Sequence, residues 1–119
     1  MKGGINVCNR NKLNDILSKV AAQAQTVFGS RLEQVILYGS YARGDFDDES
    51  DIDIMILADV DRNTLHQFKP SFLQLTSDLG MENDVLITVT LKDSETFHQY
   101  LKAVPFYQSV AKEGVPVAV

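Results

Sequence analysis

The stretch Val35-Ile36-Leu37-Tyr38-Gly39-Ser40-Tyr41-Ala42-Arg43-Gly44-Asp45-Phe46-Asp47-Asp48-Glu49-Ser50-Asp51-Ile52-Asp53-Ile54-Met55-Ile56-Leu57 decides how the rest of the chain is read. Val35 to Tyr38 is an apolar run of β-branched and aromatic residues stopped by Gly39, the pattern of a short buried strand. Asp51 to Leu57 alternates polar and apolar before becoming wholly apolar, which predicts a second strand. Side chains alternate across a strand, so Asp51 and Asp53 leave one face while Ile52, Ile54 and Ile56 turn to the core. Between the strands, Tyr41-Ala42-Arg43 opens a short helix stopped by Gly44, and Asp45 to Glu49 is an acidic loop.

Two acids side by side repel unless a cation lies between them. Hard divalent ions such as magnesium take oxygen ligands and bridge one or two carboxylates to substrate phosphates. Gly39-Ser40 follows a strand and precedes a helix start. Its glycine permits a tight turn and close approach of backbone to phosphate, and its serine offers a hydroxyl and an N–H. Arg43, one short turn further on, can reach phosphate oxygens without a metal. Taken singly, an acid-x-acid pair is most often a solvated strand and Gly-Ser most often a turn. Their joint occurrence at compatible spacing is what points to a metal-nucleotide site.

Working outward, Leu13, Ile16, Leu17, Val20, Ala21, Ala24, Val27 and Phe28 mark an amphipathic helix, capped by Asn11 or Asn9 and ended by Gly29. Arg62 to Leu79 carries Leu65, Phe68, Phe72, Leu75 and Leu79 at helical spacing, with Pro70 predicting a kink or two helices. Asp84 to Leu91 reads as a third strand. Short helices are expected at Ser94–Leu101 and at Pro105–Lys112, with Gly114 as a stop. Val115-Pro116-Val117-Ala118-Val119 reads as an edge strand, where Pro116 is tolerable. The expected class is α/β (α+β): a mixed sheet of three to four strands packed with helices.

A chain of 119 residues fits one domain, read as 11–119 behind a flexible tail at 1–10. With 45% hydrophobic and 23% charged residues, a true core is expected. A net charge of -5 argues against nonspecific nucleic-acid binding. A single cysteine, Cys8, makes neither a disulfide framework nor a metal site and suits a reducing, cytoplasmic setting. No segment has the apolar length of a membrane span.

Leu37-Tyr38-Gly39-Ser40-Tyr41-Ala42-Arg43-Gly44, ending in Ser50-Asp51-Ile52-Asp53, resembles the polymerase-β-type nucleotidyltransferase superfamily. Within it the chain is most similar to the minimal nucleotidyltransferases, antitoxin partners of HEPN toxins. The resemblance spans nearly the whole chain and implies a nucleotidyltransferase-like sheet. It implies magnesium, two ions, held by Asp51, Asp53 and a third acid on a later strand. Asp84 is the matching position, with Glu82 and Asp78 as alternatives; its implied work is metal ligation and general-base catalysis. Nucleotide contacts are implied at Gly39, Ser40, Arg43 and Ser50. The implied reaction moves AMP, or a similar group, from ATP or another NTP to a tyrosine of a helical HEPN toxin. One departure stands out: many relatives carry a basic residue where this chain has Tyr41, leaving Arg43 as the motif's cation.

Two other functions are weighed against this one. Transfer to a small molecule such as an aminoglycoside would ordinarily need a further helical domain. A binding-only antitoxin with a vestigial site is the non-enzymatic reading. His66 and His98 lack partners at metal-ligand spacing and read as surface residues. Asp47-Asp48-Glu49 reads as a solvated loop. Phe72, Phe97, Tyr100, Phe106 and Tyr107 read as core, part of it available to a partner.

Overall fold

The computed structural model describes residues 9–118. Cys8 and most of the expected tail lie outside the described residues, but Asn9 and Arg10 belong to the first helix rather than to a tail. Helix α1 runs Arg10–Phe28, and the Asn9 side chain accepts a 2.9 Å bond from the Lys12 amide, satisfying one of the first-turn N–H groups. It ends where Gly29 takes a positive φ of 53° and returns its N–H to Gln25. The apolar spacing has its expected result: Ile16, Val20 and Ala24 are fully buried.

Strand β1 is Leu32–Tyr38, helix α2 Ser40–Arg43, and strand β2 Ile52–Ala58. Helix α3, Arg62–Asn83, is capped by Asp61, which accepts the Thr64 amide at 2.7 Å. It is one helix through Pro70, not two. Pro70 and His66 both face solvent, so water can satisfy the carbonyl that the proline leaves without a donor. Strand β3 is Ile87–Asp93, followed by helices α4, Ser94–Gln99, and α5, Pro105–Glu113, then strand β4, Val115–Val117.

The four strands form one mixed sheet in the order β3-β2-β1-β4. β1 is antiparallel to both β2 and β4, whereas β2 and β3 run parallel, joined by α3. Two layers of helix cover it unequally. Ile52, Ile54 and Ile56 pack with residues of α1 and α3 in the larger core, centred on Val20, Phe28 and Phe72. On the other face Ile36, Met55 and Leu57 meet only Phe97 and Val110 as fully buried partners. Because β2 alternates, Asp53 shares this second face with Met55 and Leu57. Among the described residues no helix is long and apolar enough to cross a membrane.

Candidate active site

Strand pairing sets three residues abreast on the thinly covered face: Tyr38 on β1, Asp53 on β2 and Thr88 on β3. Asp53 is half-buried there. Burial raises its pKa above the ordinary carboxylate value, and the nearby Asp51 charge adds to the rise; the Thr88 hydroxyl and Arg43 act in the opposite sense. Thr88 Oγ1 donates to Asp53 Oδ1 at 2.6 Å. The other oxygen, Oδ2, lies against the backbone of Gly39, in the space a β-carbon would need. Gly39 also has φ 77° and ψ -157°, a region open essentially to glycine alone. The turn is therefore glycine for two independent reasons, and one of them is the carboxylate itself.

Ser40 opens α2, whose single turn is closed by Ala42 and Arg43 amides on the Gly39 carbonyl and stopped by Gly44 at φ 87°. Arg43 is near enough to Asp53 to favour its ionised form. Its guanidinium is already engaged, by Asp45 at 3.1 Å and Glu113 at 3.3 Å. Tyr41 is buried and stacks on Phe46 with ring centres 4.3 Å apart. That side chain packs into the core of the turn. Ser50 closes the acidic loop: its hydroxyl accepts the Asp47 amide at 2.9 Å and donates to the Asp47 carboxylate at 3.2 Å.

The structure brings Asp51 and Asp53 together with Gly39, Ser40 and Arg43, but does not bring Asp84 to them. Asp84 is the C-cap of α3 in the left-handed conformation, φ 54°, and its amide returns to Gly80. It is exposed and lines a surface groove with Leu73, Met81 and Leu86. The expected strand start at Asp84 is the end of a helix, since Asp is among the few residues that tolerate this geometry. Among the described residues no group of three or more His, Cys, Asp or Glu side chains is gathered as for one metal ion.

Thr88 and Glu113 are the site neighbours that the sequence reading passed over. Thr88 and Thr90 do leave a signal, as polar residues two apart among the apolar Ile87, Val89 and Leu91, but only the register says which residue faces Asp53. Tyr38 extends the same wall, its hydroxyl 3.5 Å from that of Thr90 and its ring edge-on to Phe106.

Comparison with known proteins shows what the chain is similar to. The profile of the family described as Nucleotidyltransferase domain matches residues 13–112. A Methanocaldococcus jannaschii protein named "Putative protein adenylyltransferase MJ0141" is 36% identical over 74 residues, covering 62% of this chain and 73% of that one. A second from the same organism, of the same name but numbered MJ0604, is 34% identical over 87 residues, covering 73% and 79%. In fold, the chain is similar to a crystal structure of the toxin–antitoxin MntA-HpeT in mutant form, with TM-score 0.50, 19% identity and coverage of 86% and 72%. It is equally similar to a crystal structure of a toxin–antitoxin with AMP-PNP, with TM-score 0.50, 20% identity and coverage of 84% and 71%. With the paired acids, the glycine turn and the mixed sheet in place, the chain belongs to the nucleotidyltransferase domain family.

Proposed function

We propose that this chain transfers AMP, or a similar nucleotidyl group, from an NTP to a hydroxyl of a protein, and that the acceptor is a tyrosine of a helical HEPN toxin silenced by the modification. The observation that carries the reading is the seating of Asp53 against Gly39, which puts the acid pair beside the turn suited to phosphate. The adenylyltransferase names of two relatives support protein as the acceptor, and the fold likeness to toxin–antitoxin structures supports the class of partner.

Magnesium fits these residues. Asp51 and Asp53 offer oxygen donors whose mutual charge a cation would relieve, and magnesium commonly takes only one or two carboxylates beside phosphate and water. When bound it would offset the negative charge that develops on the phosphate oxygens. The remaining work falls to the chain: Gly39 lets phosphate approach the backbone, and Arg43 offers donors to the phosphate oxygens. The acceptor oxygen attacks the α-phosphorus in line, the bond to the β-phosphate oxygen breaks, pyrophosphate leaves, and the hydroxyl proton passes to solvent.

A binding-only antitoxin is the second reading, favoured by the absence of a third acid at the pair among the described residues. One experiment separates the two. The chain is incubated with ATP, magnesium and the product of the neighbouring gene, followed by size exclusion and intact mass measurement. AMP mass on a tyrosine of the partner supports transfer. Co-elution without added mass supports occlusion, and no co-elution together with no added mass leaves the antitoxin reading without support.

A further inference from the structure

We infer that Thr88 is the positioning residue of this site: it fixes the Asp53 carboxylate so that two acids and a hydroxyl, not three acids, form the cation seat. The inference rests on the nucleotidyltransferase reading of the pair. Asp53 is held from both sides. Thr88 Oγ1 binds Oδ1 at 2.6 Å from β3, and Oδ2 abuts Gly39 at the end of β1, so the carboxylate is stretched across β2 with little torsional freedom. A carboxylate only accepts, so the threonine hydroxyl is the donor, and the short distance is that of a charge-assisted bond.

Cross-strand polar pairs also occur simply as sheet stabilisers. Two features set this one apart. Thr88 stands directly abreast of Asp53 on the face that carries the acid pair, so its side chain occupies the β3 place nearest the carboxylates. The acidic residue nearest before it in sequence, Asp84, lies at the exit of α3, its backbone closing the helix and its side chain exposed. A hydroxyl there holds the carboxylate rotamer without adding a third negative charge to a half-buried pair. Residues that orient metal-binding groups in this manner typically change affinity by about 10- to 100-fold when removed.

The test uses the whole chain and manganese as the probe, with binding followed by the electron paramagnetic resonance of free ion and folding by thermal unfolding. Thr88→Val should stay folded and bind manganese at least about tenfold more weakly. Thr88→Ser, which keeps the hydroxyl, should restore binding. Thr88→Asp should unfold at lower temperature than the parent without divalent ion and recover the difference when manganese is added, because a third carboxylate at that place repels the pair until a cation joins them. Parent-like binding by Thr88→Val, failure of Thr88→Ser to restore it, or a Thr88→Asp defect that manganese leaves untouched would each overturn the inference. So would manganese binding that survives Asp53→Asn, or parent protein that binds none. If the parent binds manganese as expected yet modifies no protein, the transferase reading fails while the role of Thr88 stands.

Discussion

Glu113, on the last turn of α5, holds Arg43 of the Gly39–Asp53 segment at 3.3 Å, a contact between residues 70 apart in sequence. It joins the end of the thinner helical layer to the motif and gives the motif cation a carboxylate that any phosphate must displace. Exposed ion pairs of this sort are weak, so their exchange for phosphate is easy. Glu113→Gln should therefore tighten ATP binding by roughly two- to fivefold, the scale of one released surface pair. Calorimetric titration checks this, and Arg43→Ala in the same assay should weaken binding.

Asp53 gives a pH-dependent expectation. Burial, with the charge of Asp51 in support, raises its pKa above the ordinary 3.8. A carboxyl whose folded pKa is raised favours the fold while protonated, and that contribution is lost as pH rises through the folded pKa. Asp53→Asn removes the charge but keeps an oxygen for Thr88. Without divalent ion it should be more stable than the parent at neutral pH, and the gap should close as pH falls below 3.8. Urea unfolding across that range measures it. The same variant should lose at least about 100-fold in nucleotidyl transfer, because an amide cannot match a carboxylate toward a cation.

Gly39→Ala tests the turn. The new methyl group would meet the Asp53 carboxylate, and alanine disfavours φ 77°. The backbone cost alone is about 1–3 kcal/mol. The variant should melt several degrees lower, and transfer should fall further than stability accounts for, since the carboxylate must move. Gly44→Ala is the control: its φ of 87° carries a similar penalty, but a β-carbon there meets nothing. Circular dichroism melts beside a single-turnover assay distinguish the two.

Phe72 should dominate stability. It is fully buried and stacks with Phe28 across α1 and α3, ring centres 6.2 Å apart. Phe72→Ala should cost about 3–5 kcal/mol, as full truncation of a buried aromatic does. Chemical denaturation gives the number directly.

The fold was largely legible because apolar periodicity dominates it. Ile16, Val20 and Ala24 announced α1, and the alternation from Asp51 to Leu57 placed both acids on one face and the isoleucines on the other. What the periodicity could not carry was pairing and local backbone geometry. Asp84-Val85-Leu86 has the composition of a strand, yet a left-handed residue at Asp84 makes it a helix exit, and β3 begins only at Ile87. Thr88 became a neighbour of Asp53 through strand register, and Glu113 a neighbour of Arg43 through the return of the chain, neither of which is encoded within a window of sequence. Pro70 misled for a related reason: its effect on the helix depends on which side faces water.

The two helical layers are unequal, and that inequality predicts how the molecule breathes. α1 and α3 share a deep apolar core, whereas α4 and α5 are pinned mainly through Phe97 and Val110. Elements with little buried apolar surface open with less free energy than the whole domain needs to unfold. In amide hydrogen exchange, then, α5 and the short strand Val115–Val117 should lose protection well before α1 or the centre of β2. Those early-exchanging segments include Glu113, the partner of Arg43, and Phe106, which walls Tyr38. The acids would stay fixed on a rigid strand while the residues beside them on α5 open and close.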